Sequence, residues 1–162
     1  MSRTSRWARN AVLALCGLVI LMVIYLWLRT STYTISRSGG KDVVLGRHAA
    51  ERAVGALFTG RQTAFWTPSR RQIRSIEAGL RDYVAQSEPA ALTQLEKGRR
   101  QYIGFFRDGQ ERVYIVGYCS TDDSDPRREF VPFVGNGECR FEAEYDLETR
   151  RVVRFWFGVP GD

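Results

Sequence analysis

The chain has 162 residues, a formal charge of +6 and 12% aromatic residues (4 Trp, 7 Tyr, 9 Phe); that length favours one folded domain with accessories over two domains. The aromatic side chains supply enough buried area for a compact core in roughly 100 residues. Arg3, Arg6, Arg9, Arg29 and Arg37 stand in the first 37 residues, which hold no acid, so 19 basic residues face 18 acidic ones beyond them; this balance excludes a basic stripe for nucleic acid.

Residues 11–28, AVLALCGLVILMVIYLWL, form an unbroken apolar run from Ala11 to Leu28. As helix, the run spans about 27 Å against a hydrocarbon core of roughly 30 Å. Trp7, Tyr25 and Trp27 stand near its ends, where interfacial aromatics are favoured. The run exceeds the apolar core of a cleavable signal peptide, and no small-x-small site follows it. Leu15 stands where a lipoprotein signal before Cys16 would need a small residue. The expectation is a single-pass transmembrane signal-anchor over 11–28, with 1–10 as a cytoplasmic tail by the positive-inside rule. This places the protein in the cytoplasmic (inner) membrane with its remainder in the periplasm.

Residues 29–46 read as a tether, with Ser and Gly at 36–40, and 47–162 as the folded domain. Residues 47–58 suggest a short helix. Thr67-Pro68-Ser69 is a helix start with Ser69-x-x-Gln72 at capping-box spacing. Ile73, Ile76, Leu80, Tyr83 and Val84 then share one face, with Glu77 and Arg81 as an i,i+4 pair on its flank, and the helix should run to about Gln86. Pro89 ends it, and 90–97 adds a turn or two.

From Arg100 the period changes to two. Residues 101–107 and 111–118 read as strands joined at Asp108-Gly109, a hairpin signal because both turn positions need φ > 0. A third strand is expected over 129–134, at an edge or bulged because of Pro132. Gly135-Asn136-Gly137 is a turn, and 139–145 alternates between a buried and a wet face. Residues 151–157 form the last strand. Gly104 and Gly117 inside strands make room for an aromatic on the neighbouring strand. The expected fold is α+β: the transmembrane helix, then one or two helices packed on one face of a curved antiparallel sheet of four to five strands.

Cys119 and Cys139 are an even pair, compatible with a disulfide in an oxidising compartment or with two buried thiols. A bridge requires the strands carrying them to be adjacent, with 120–128 carrying the chain back across the sheet. His48 lacks partners at metal-ligand or triad spacing. Asp122, Asp123 and Asp125 do not match an EF-hand and read as a solvated loop. Glu142 and Glu144 share the wet face, with Arg150, Arg151 or Arg154 as expected partners. No phosphate loop, nucleophile elbow or zinc-protease motif occurs, so no catalytic residue, metal or cofactor is assigned and an enzyme is disfavoured. In Phe155, Trp156 and Phe157 consecutive side chains point to opposite faces, which suggests a partner surface, with the acidic loop as a second one.

Arg100-Gln101-Tyr102-Ile103-Gly104, Asp108-Gly109, Tyr114, Cys119, the Gly-Asn-Gly turn and Tyr145-Asp146 resemble small uncharacterised bacterial exported or lipoprotein domains across roughly residues 65–158. The helix-plus-curved-sheet layout is similar to cystatin-like and NTF2-like folds by analogy alone. That resemblance implies no chemistry. The functional expectation is a membrane-anchored extracytoplasmic protein-binding module, such as an envelope-assembly subunit. The alternative is an inhibitor or immunity-type protein that plugs a periplasmic toxin or lytic enzyme with its acidic loop.

Overall fold

The computed structural model describes residues 3–37, 40–54, 64–119, 125–131 and 140–158. The chain divides into two compact units, Met1–Thr30 and Ser31–Asp162.

The first unit is helix α1 (Arg3–Thr30), whose large apolar side chains between Val12 and Trp27 are 47–68% exposed. Among the described residues no helix is long and apolar enough to cross a membrane. This overturns the expected transmembrane signal-anchor and the single-pass assignment. Even the whole apolar run of 11–28 covers only about 27 Å as helix, short of the ~30 Å of a hydrocarbon core.

The second unit holds β1 (Tyr33–Arg37), β2 (Gly40–Val44), α2 (Arg47–Val54), β3 (Phe65–Trp66) and α3 (Arg70–Ser87). A 3-10 turn at Pro89–Ala91 leads to α4 (Leu92–Lys97), followed by β4 (Arg99–Arg107), β5 (Gln110–Tyr118), β6 (Phe141–Asp146) and β7 (Arg151–Phe157). The seven strands form one sheet in the order β1-β2-β4-β5-β6-β7, with β3 also on β4.

The sheet is mixed, which corrects the expected antiparallel sheet of four to five strands with one or two helices. β2 runs parallel to β4, Val43 opposite Gln101 and Val44 opposite Tyr102, and the Leu45 N–H extends the pairing by donating to the Tyr102 carbonyl. The stretch that reads as a tether therefore holds a hairpin. Its Ser and Gly residues suggest a linker, but Ile35, Val43, Val44 and Leu45 around them are core or core-flanking side chains.

Several local signals set the rest. Ser69 caps α3: its hydroxyl accepts from the Gln72 N–H while the Gln72 side chain accepts from the Ser69 N–H, which satisfies two donors that helix geometry leaves open. Asp108 and Gly109 have φ of 53° and 81°, and Arg107 pairs with Gln110 across them. β5 pairs directly with β6, Gly117 opposite Phe141. Residues 129–131, expected as strand, are irregular; buried Gln101 donates to the Pro126 and Glu129 carbonyls and accepts from the Val131 N–H. The remainder of that expected strand and the Gly135-Asn136-Gly137 turn lie outside the described residues.

Both sheet faces are covered in part. On one, Ile73, Ile76, Leu80 and Val84 of α3 meet Val44, Tyr102, Ile115, Phe141, Ala143 and Tyr145. On the other, Ala49, Ala50 and Val54 of α2 meet Val43, Leu45, Phe65, Ile103 and Phe105. The expected single covered face misses α2.

The strand glycines are sites of close approach. A Cβ on Gly104 would stand 2.6 Å from the Trp66 carbonyl oxygen, and one on Gly117 would stand 2.1 Å from the Phe141 ring. Gly104→Ala and Gly117→Ala should each lower stability by about 1–3 kcal/mol through overpacking, measured as a fall in the denaturant midpoint. Gly17→Ala, with nothing within 4 Å of the added carbon, should leave the midpoint of the Ser31–Asp162 unit unchanged.

Candidate functional site

The most built-up site lies where the flank of α3 meets β1, β2 and β4. Along α3, Arg70, Ile73, Arg74 and Glu77 follow one another at spacings of three, one and three, and so share a side of the helix beside its apolar stripe. Opposite them stand Ile35, Ser36, Asp42 and Tyr102, and together these eight residues line a cavity of about 270 Å³. Ser36, Arg70 and Arg74 are exposed and form the rim, while Asp42, Ile73 and Tyr102 are buried and form the floor.

The floor is a polar network centred on Arg100, whose Nε is left without a hydrogen-bond partner among the described residues. Arg100, 2% exposed, donates from Nη1 to Glu77 Oε2 at 2.6 Å and from Nη2 to the Leu95 carbonyl at 2.7 Å. The Tyr102 hydroxyl donates to Glu77 Oε1 at 2.6 Å. Asp42 Oδ1 accepts the Arg100 backbone N–H at 3.0 Å. Burial, then the charges of Glu77 and Asp42, push the Tyr102 phenol well above its ordinary range, so it stays a hydrogen-bond donor. Both Glu77 oxygens are thus engaged, and the pair balances its charge internally. At the rim, Arg70 stacks over the Tyr33 ring with its guanidinium carbon 5.3 Å from the centroid, and the Tyr33 hydroxyl donates to the Pro68 carbonyl. Neither Arg70 nor Arg74 has an acidic partner among the described residues.

Sequence reasoning missed this cluster. It assigned Glu77 to Arg81, but Arg81 pairs with Glu96 instead, and Glu77 turns inward to Arg100. The available signal was alternation in β4: Arg100 lies on the same face as Tyr102 and Gly104, so a charge on the helix-covered face required a carboxylate on the covering helix.

The expected site residues lie at separate places in the fold or outside the described residues. Phe155 and Phe157 lie on the helix face, in a run of rings with Phe141 and Tyr83 at centroid distances of 5.7–6.4 Å. Trp156 lies on the opposite face, with the Arg154 guanidinium 4.6 Å above its ring. Asp122 and Asp123 lie outside the described residues. Asp125 accepts the Arg127 N–H and faces Arg128 at 3.6 Å. His48 is exposed, 3.4 Å from Glu51, and no group of His, Cys, Asp or Glu among the described residues could hold a metal ion. Cys119 follows β5 and is disulfide-bonded, while Cys16 is free. Cys139 lies outside the described residues, so no bridge joins two described cysteines.

The outer-face carboxylates also differ from expectation. Glu144, 2% exposed, accepts from Arg107 at 2.8 Å and Arg112 at 2.6 Å; Tyr114 donates its hydroxyl to Glu142. Arg154, although opposite Glu144 in register, is left on the edge. The backbone N–H of Thr149, with Arg112 adding to it, lowers the Asp146 carboxyl below its ordinary range.

Compared with protein-family models, curated proteins and solved structures, the chain matches none.

Removing Glu77 leaves the buried Arg100 charge uncompensated, so Glu77→Gln should cost about 3–5 kcal/mol in denaturant unfolding. Combining it with Arg100→Met should recover much of that loss. Burial also pushes the Tyr33 and Tyr118 phenols up to about 12, against the opposing pull of nearby arginine. Above pH ~10 the unfolded chain releases those protons while the folded chain keeps them. The contribution of these two phenols should therefore be level below pH ~10, and stability should fall between ~10 and 12 in a pH series of unfolding curves. The Tyr118 hydroxyl is buried without a hydrogen-bond partner among the described residues, so Tyr118→Phe should raise stability by about 1 kcal/mol at pH 7 and make the alkaline fall shallower.

Proposed function

We propose that Ser31–Asp162 is a protein-binding module that takes an acidic, extended segment of its partner as an added strand along the outer edge of β7. The observation that carries this reading is the chemistry of that edge. β7 ends the sheet, and among the described residues no strand pairs with its outer side, so a row of backbone donors and acceptors is open to another chain. Arg150, Arg151 and Arg154 stand along it, exposed and with no acidic partner among the described residues. Trp156, held beneath Arg154, offers a half-buried indole beside the edge, the kind of anchor that dominates binding energy at interfaces.

Self-pairing is opposed by the same features. Two copies meeting edge to edge would set arginine against arginine. Val153, which the register skips between Val152 and Arg154, adds a bulge, and edge bulges and charges discourage indiscriminate pairing. An acidic strand meets neither obstacle beyond the bulge, at residues 154–157. The inhibitor reading draws on the acidic loop instead. Its Asp125 is engaged locally with Arg127 and Arg128, whereas the arginines of β7 face outward.

A synthetic peptide of alternating Glu and Val is the direct test. It should slow amide hydrogen exchange along β7 of the full chain, and Arg151→Glu with Arg154→Glu should weaken its binding at least tenfold. Equal binding of a Lys-Val peptide, or protection elsewhere than β7, would sink the reading.

A further inference from the structure

We infer that the cavity between α3 and the β1-β2 hairpin is a site for a small monocarboxylate with an aliphatic tail. The acids in its floor are not available to a ligand's cation: both Glu77 oxygens are held by Arg100 and Tyr102, and Asp42 is buried against the backbone of β4. What remains open to a ligand is the rim, with the Arg70 and Arg74 guanidinium groups and the Ser36 hydroxyl around a mouth bounded by Ile35, above the buried Ile73. Arg70 and Arg74 are one helical turn apart, and the Tyr33 ring beneath Arg70 fixes that guanidinium in place. Planar guanidinium donors match a carboxylate two hydrogen bonds at a time, and the apolar walls select a tail over a second polar group.

Charge narrows the class further. Among the described residues, the cavity and its floor hold Arg70, Arg74 and Arg100 together with Glu77 and Asp42. Three guanidinium groups against two carboxylates leave a single positive charge, the complement of a monoanion rather than of a phosphate dianion. The volume, about 270 Å³, falls just below the roughly 300–1,000 Å³ of pockets that enclose drug-sized molecules, so the ligand is small.

Octanoate titrated into the full chain by calorimetry tests the assignment. One saturable site is expected, with affinity at least tenfold weaker in the Arg70→Gln, Arg74→Gln double variant, and with neither 1-octanol nor inorganic phosphate displacing octanoate. Both arginines are exposed, so the double variant should keep the parent's thermal midpoint. Equal octanoate affinity in parent and variant would place the probe on the exposed apolar face of α1 and overturn the site. So would the absence of saturation, or displacement by phosphate. The outcome is separable from the strand-edge reading, because neither Arg70 nor Arg74 belongs to β7.

Discussion

A guanidinium withdrawn from water must be met by a carboxylate, and in this fold that requirement falls on Arg100. Its side chain reaches Glu77 on α3 and the carbonyl of Leu95 on α4, its backbone N–H is held by Asp42 of β2, and its guanidinium lies 5.6 Å from the centroid of the Phe141 ring of β6. One residue of β4 thereby joins two helices and two strands that are remote in sequence. Hydrophobic packing alone would tolerate some sliding of α3 over the sheet. A paired buried charge with directional hydrogen bonds does not, because any slip leaves it unsatisfied. The same pairing determines what the neighbouring cavity can do. With Glu77 consumed, the floor contributes shape rather than acid-base chemistry, and the exposed arginines at the rim carry the selectivity.

The opposite face of the sheet repeats the device. Arg107 and Arg112 converge on Glu144, and Arg112 also stands 3.7 Å from Asp146. In the sequence, the near absence of lysine reads as coding bias. In the fold, the forked geometry of arginine is used at Glu77 and Glu144, where the guanidinium groups of Arg100 and Arg112 each serve two acceptors, a task for which a lysine point charge is poorly suited. Because these carboxylates take their partners from β4 and β5, the arginines of β7 are released to face outward.

The parts of the fold that were readable from sequence are those encoded within a few residues. The Ser69-x-x-Gln72 box marks the start of α3, the Ile73-Ile76-Leu80-Val84 stripe marks its buried face, and Asp108-Gly109 closes the β4-β5 hairpin. The features that escaped are those whose causes lie far away. Asp42 and Arg100 are 58 residues apart, and nothing near either announces the other. The β1-β2 hairpin reads as linker because Ser and Gly suit a tether as well as a turn, and only β4 beside it makes Val43 and Val44 core residues. Alternation correctly separates Trp156 from Phe155 and Phe157, but it cannot say which face α2 would reach. Burial of Glu144 was invisible for the same reason: its arginines stand on other strands.

The parallel pairing of β2 with β4 bears on the order in which the unit assembles. The β4-β5 hairpin closes through a two-residue turn and can form as soon as both strands are available. The β1-β2 hairpin, although synthesised first, has no place in the sheet until β4 exists, with α2, α3 and α4 intervening. Non-local pairing of this kind slows the search for the native state. During synthesis the N-terminal hairpin therefore waits beside the ribosome with its apolar side chains unsheltered, which is the interval in which a nascent chain is most exposed to misassembly.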